Sequence, residues 1–202
     1  MKQNPAIAVI DFSDIPTGVW ATDAMIKKAP ITLLRSGTIT HGRYLTIVGG
    51  TTASVAESLR EALALGAEHV LDHVFLADVH ERLFDGIGGA RQAGVRGAMV
   101  VVVTETVAAI VRAVEAALKG TPVTLVEIRL ADSGLAGRGL AVFGGELPDI
   151  EAATGLALAA VGAGRGVTHR IITAPHEALL AQIDAETHFS SAEPLELEGE
   201  KG

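Results

Sequence analysis

The stretch ATDAMIKKAPITLLR runs from Ala21 to Arg35, and AVEAALKGTPVTLVE, Ala113 to Glu127, repeats it ninety-two residues later. Six of the fifteen positions are identical, and four more exchange like for like (Asp/Glu, Ile/Leu, Ile/Val, Leu/Val). Such self-similarity decides the architecture before any motif is considered, because each copy must fold as the same unit. The match extends in both directions. AIAVID (Ala6–Asp11) corresponds to AMVVVV (Ala98–Val103), and HGRYLTIVGG (His41–Gly50) to AGRGLAVFGG (Ala136–Gly145) after a three-residue insertion. HVFLADVHERLFDGI (His73–Ile87) corresponds to HRIITAPHEALLAQI (His169–Ile183). The chain thus divides into a first unit over 1–90, a Gly-rich linker over 91–97, a second unit over 98–184, and an acidic tail over 185–202 that is expected to be disordered.

Each copy reads the same way. A β-rich run (6–12; 98–104) leads into a helix. In the second copy Val107, Val111, Val114 and Leu118 fall at spacings of four, three and four, one helical face. Their counterparts Ile15, Val19, Thr22 and Ile26 are expected to pack alike. Ser13 or Asp14 caps the first helix, with Pro16 in its first turn. Pro30 and Pro122 end the helices and admit extended runs at 31–39 and 123–130. Strands at 44–48 and 140–143 follow, each closed by Gly-Gly. The Ser54–Glu57 capping box and Pro148 mark a second helix, buried through Val55, Leu59, Ala62 and Leu63 or Ile150, Thr154, Ala157 and Leu158. A fourth strand (70–77; 167–173) and a short helix (79–87; 175–184) complete each copy. The order β-α-β-β-α-β predicts an α+β fold: two tandem ferredoxin-like domains, each a sheet carrying two helices on one face.

Composition narrows the function. The net charge of −8 argues against nucleic acid, whose phosphates need clustered Lys and Arg. Cysteine is absent, which excludes disulfides, thiolate metal sites and a cysteine nucleophile. No apolar run reaches the roughly 20 residues that span a bilayer, and MKQNPAIAVIDFSD lacks a secretory pattern, so the expected location is cytoplasmic. Apolar residues make up 49% but aromatics only 3%, so the core is built from Val, Ile, Leu and Ala.

The ordered set Asp-Ala-x-x-Lys-x-Ala-Pro, then a Gly-containing loop into LTIVGG, then Pro-His-Glu-x-Leu before a last helix, resembles the bacterial microcompartment shell-protein domain. Present twice and unpermuted, it resembles the tandem-domain shell proteins. The resemblance implies a structural role without catalysis: a homotrimer that imitates a hexamer, with a central pore, its unpermuted order favouring a single layer over the face-to-face stacked trimers of permuted members. It also implies partners, namely hexameric and pentameric shell tiles. One departure stands out. Many single-domain members carry Pro-Arg-Pro-His before the last helix, whereas the copies here read ADVH (Ala77–His80) and TAPH (Thr173–His176), without the arginine.

Site residues follow from the same resemblance. The turn between the second and third strands would line the pore: Thr40, His41 and Gly42 in one copy, Leu135, Ala136 and Gly137 in the other. Three imidazoles, with Arg43 and Arg138 behind them, would favour small polar or anionic metabolites. Lys27 and Lys119 would make the contact between tiles, although a lysine at a helix C-terminus also suits the helix dipole with no partner. The histidines do not call for a metal. His69 and His73 on a strand stand about 13 Å apart, and His73 and His80 recur as His169 and His176, which fits scaffold or capping positions. No cofactor is expected: GIGGARQAG and GAGRG (Gly162–Gly166) neither follow a strand nor open a helix. Asp72 and Asp78, though near histidines, form no catalytic constellation. A different reading also fits tandem ferredoxin-like domains, a regulatory protein binding small molecules between its domains, but such a protein would carry a longer loop between strands two and three.

Overall fold

A computed structural model describes residues 5–94, 96–162 and 166–194. The first unit contains β1 (Ala6–Phe12), α1 (Ile15–Lys28), β2 (Thr32–Thr38), β3 (Tyr44–Gly50), α2 (Thr52–Gly66), β4 (Val70–Leu76) and α3 (Glu81–Ile87). The second repeats it with β5 (Ala98–Thr104), α4 (Val107–Gly120), β6 (Thr124–Leu130), β7 (Gly139–Gly145), α5 (Leu147–Val161), β8 (Val167–Ile172) and α6 (Glu177–Ala185). Each sheet is antiparallel, in the orders β2-β3-β1-β4 and β6-β7-β5-β8. Both edge strands bulge at the same repeat position, Leu34 and Val126.

Local chemistry sets the helix ends. Asp14 accepts from the Thr17 amide at 2.9 Å, and Pro16 occupies the first turn of α1. α2 begins before the capping box: Thr51 is its N-cap, accepting from the Ser54 amide at 3.2 Å. Thr51 follows Gly50 at the strand end, so the helix starts where β3 stops and Ser54 falls inside its first turn. His80 and His176 cap α3 and α6 through Nδ1, each accepting a backbone N–H at 3.2 Å. Their recurrence is thus a capping role.

The copies also fill one contact in opposite ways. Gly18 on α1 lies against Tyr44, where a Cβ would come within 2.5 Å of the Tyr44 Cβ. In the second unit Ile110 stands at the helix position and Gly139 at the strand position. Large and small have changed places, which conserves volume at a close-packed contact.

The sheet of the first unit is buried on both faces. Ala6, Ala8, Ile10 and Phe12 face α1 and α2, through Ala21, Met25, Val55 and Leu59. Ile7, Val9, Leu45, Ile47 and Val74 on the other face join the core that includes α3 and α4, and α4 packs on β1 and β4. The second sheet carries α4 and α5 on one face and α6 on the other, where Leu180 and Ile183 meet Met99, Val126 and Val142. α4 therefore serves two sheets, and it is buried almost all round.

The equivalence expected between Ile15, Val19, Thr22 and Ile26 and their α4 counterparts holds only for burial of Thr22. The buried face of α1 is Gly18, Ala21, Thr22 and Met25, while Val19 and Ile26 are exposed. On α4, Val111 and Leu118 occupy the positions that are bare on α1, while Val114 matches the buried Thr22. The tail also departs from expectation at its start. Thr187 donates to Glu127 Oε2 at 2.5 Å, and Arg129 donates to the Thr187 carbonyl at 3.2 Å, so the chain stays on the second unit beyond α6. Residues 163–165, within GAGRG, and 195–202 of the tail lie outside the described residues.

Candidate functional site

The two turns between second and third strands have one backbone. His41 and Gly42 take φ of 60° and 71°, and Ala136 and Gly137 take 50° and 82°. Two successive left-handed residues reverse the chain tightly; only glycine does so freely, and His41 and Ala136 each carry a cost of about 1 kcal/mol. The turns are closed alike, Arg43 N–H donating to the Thr40 carbonyl (3.4 Å) and Arg138 N–H to the Leu135 carbonyl (3.0 Å). The turns also meet. A Cβ on Gly137 would stand 3.1 Å from Thr40 Oγ1 and 3.0 Å from Arg43 Nη1, a tight approach that adds to the positive φ in favouring glycine. His41, Gly42 and Ala136 are exposed, Thr40 and Leu135 half-buried, and Gly137 buried under the neighbouring turn.

Arg43 does not stand free behind the turn. Its Nη2 bonds Asp11 Oδ1 at 2.8 Å, and Asp11 is buried at the end of β1. The same carboxylate accepts from the amides of Ala108 (2.9 Å) and Val107 (3.4 Å) at the start of α4. An anion at a helix N-terminus answers its unpaired amides and its dipole. Burial pushes the Asp11 carboxyl up to about 6, although the Ala108 amide and Arg43 pull the other way. Arg138 is half exposed, with Nη2 3.6 Å from Glu105.

A seam of polar contacts continues along α4. Asp72 is buried and takes Thr106 Oγ1 at 2.7 Å and Arg112 Nη2 at 3.1 Å. Sequence reasoning named Asp72 but gave it no role, since its partners lie in the other unit. Glu115 accepts the His80 amide at 3.0 Å. Lys119 bonds Glu115 at 2.6 Å and donates to the Asp78 carbonyl at 2.5 Å. Its repeat partner Lys27 pairs with Asp23 on its own helix, at 2.5 Å, and is well exposed. One sequence position thus has two settings, and the structure does not bring the two lysines together. Asp11 carried one signal in the sequence: it is the acid in a strand whose other copy has Val103.

Glu127, Glu186 and His188 bring potential ligand atoms within 4.8 Å of one another, beside a cavity of about 250 Å³. Each is already answered: Arg91 Nε lies 3.2 Å from Glu127, Thr187 donates to Glu127, and His188 Nδ1 lies 2.6 Å from Glu186. The His188 amide, its ring and the Thr187 amide hold the Glu186 carboxyl down at about 2. With Arg91 and Arg129 adjoining, the cluster is an ion-paired latch between linker, tail and β6. His69 Nδ1 lies 2.8 Å from Asp14, at the start of α1.

The model of the BMC domain family matches the chain twice, over residues 6–79 and 98–175. The bacterial microcompartment shell protein PduT of Citrobacter freundii is 31% identical over 179 residues, 88% of this chain and 97% of that protein. The carboxysome shell protein CcmK2 of Synechococcus elongatus is 37% identical over 82 residues, 39% of this chain and 80% of that one. A solved microcompartment protein from Desulfitobacterium hafniense superposes with a TM-score of 0.73 at 28% identity, covering 86% of this chain and 97% of that chain. Tandem units, matching turns and these likenesses agree, and the chain belongs to the BMC-domain family as a bacterial microcompartment shell protein with two copies of the domain.

Proposed function

We propose that three copies of this shell protein close into a ring of six domains, a pseudohexameric tile whose central opening passes small polar or anionic metabolites. One observation carries the reading: the flank by which the second unit docks on the first is repeated on the first unit, and there it is bare. Val111 is fully buried and Leu125 is 3% exposed, whereas their repeat partners Val19 and Leu33 are 49% and 43% exposed. Trp20, in the place of Arg112, is 56% exposed. In reverse, Leu83 on α3 is buried by the junction and its counterpart Leu179 on α6 is exposed. A chain with one unmatched flank at each end makes head-to-tail contacts, which form a ring where the rotation closes. Native mass spectrometry should give three times the chain mass; a monomer at micromolar concentration would sink the reading.

In such a ring the turns at 40–42 and 135–137 alternate around the axis. Because Arg43 is held by Asp11, selection falls to the His41 ring and the half-exposed Arg138, so the preference for anions should be smaller than two free arginine positions would give. His41→Ala should lower the ratio of anionic to neutral solute flux through reconstituted tiles; an unchanged ratio removes His41 from the filter. Lys27 and Lys119 then serve the outer contacts with hexameric and pentameric tiles. The role is structural, and the regulatory alternative loses its ground, since both turns are short.

A further inference from the structure

The linker shows how a segment leaving one unit is received by the next. From α3 it passes Arg91, beside Glu127, and then Gln92 donates its backbone N–H to the carbonyl of Val126 at 2.9 Å. Val126 is the bulged residue of edge strand β6, and a bulge leaves its residue outside the regular ladder. Arg82 supports the crossing by donating to the Gln92 side chain at 2.6 Å.

The tail leaves α6 as the linker leaves α3. Counted from the capping histidines His80 and His176, Arg91 corresponds to Thr187, Gln92 to His188 and Ala93 to Phe189. The two segments run together here, with Arg91 donating to the carbonyls of Ile183 and Ala185, and Gly94 N–H to Asp184. Thr187 is pinned to Glu127 and Arg129, and His188 lies between Glu186 and Asp132 (Nε2 to Oδ2, 3.3 Å). Phe189 then stands 98% exposed at the head of a short turn through Ser191. The whole phenyl ring stands in water on a segment tied down just before it, and among the described residues of its own chain no pocket receives it. The pocket's address follows from the repeat. The counterpart of Val126 is Leu34, which bulges from edge strand β2, and among the described residues no loop of the chain donates to its carbonyl. Beside it Leu33 is exposed.

We infer that Phe189–Ser191 of one copy lie along β2 of the next copy, with Phe189 seated at Leu33 and Leu34, as the linker lies along β6 within the chain. The tail is then a strap across the junction between copies, replacing by an aromatic side chain the covalent connection that the linker supplies. The inference rests on the trimer reading, and the experiment separates the two. Full-length protein carrying p-benzoylphenylalanine in place of Phe189 is irradiated, and cross-linked peptides are mapped beside a native mass of the same sample. Cross-links from 189 to residues 32–38 of another chain, giving covalent dimers and trimers on a denaturing gel, are expected. A trimeric mass with cross-links only within the chain overturns the strap and leaves the trimer; a monomeric mass overturns both. Phe189→Ala should raise the concentration at which trimers dissociate by about tenfold, and an unchanged dissociation overturns the anchoring role.

Discussion

α1 and α4 are the same helix by sequence position, and they meet opposite fates. The outward side of α4 is locked to the first unit by Arg112–Asp72, by Glu115 on the His80 amide, by Lys119 on the Asp78 carbonyl, and by Asp11 at its N-terminus. The matching side of α1 offers Val19, Trp20 and Ile26. Where the first sheet presents Asp11 and Asp72, the second presents Val103 and Thr168. In the proposed trimer the difference follows from tethering. A junction inside one chain forms at an effective concentration set by its linker, so it tolerates buried ions whose desolvation cancels most of their attraction. A junction between separate chains must overcome lost translational and rotational freedom, and apolar area is the dependable source. In the proposed trimer, dissimilar chemistry would also keep the two junctions from exchanging partners.

The largest effect should come from breaking the apolar side. Val19→Asp with Trp20→Asp places charges where burial of each side chain supplies roughly 1.5–3 kcal/mol. The trimer should dissociate more than about 100-fold more readily, with circular dichroism unchanged; a trimer of undiminished stability would refute the assignment of that flank. The ionic side is sharpened by pH. Burial raises the Asp11 carboxyl from an ordinary 3.8 to about 6. The native state therefore holds the proton more tightly than the unfolded one, and this contribution, full below pH 3.8, is lost as pH rises through 6. At 1.36 kcal/mol per unit the loss approaches about 3 kcal/mol. Against Asp11→Asn, which cannot titrate, the wild type should lose stability to that extent between pH 4 and 6 in denaturant titrations. Parallel curves would show that Asp11 keeps its ordinary value. The smallest effect separates the lysines. Lys119→Glu opposes Glu115 and should cost about 1 kcal/mol of stability, while Lys27→Glu on the open flank should cost a few tenths at most. Both changes should prevent sheets in electron micrographs, and sheets that persist in either variant would exclude that lysine from tile contacts.

Much of the fold was legible because the repeat allowed each ambiguous segment to be read twice. Pro30 and Pro122 ended the same helix, and Gly-Gly closed the same strand. The site was less legible. The run Val107, Val111, Val114, Leu118 announces one apolar face, yet α4 has two buried faces, and periodicity cannot tell a domain's own core from a neighbour's surface. Asp72 looked incidental because Thr106 and Arg112 lie more than thirty residues away. Ser54 fitted the capping box, but Thr51 was nearer the strand end and took the cap.

By itself the sequence determined the number of domains, the element order and the turns, since these depend on chemistry within a few residues and are stated twice. Only the tertiary structure decided which copy of each flank is covered, that Arg43 is held by Asp11, and that Phe189 stands exposed. Those outcomes depend on which surfaces meet, and contacts between distant segments leave no local pattern in the chain.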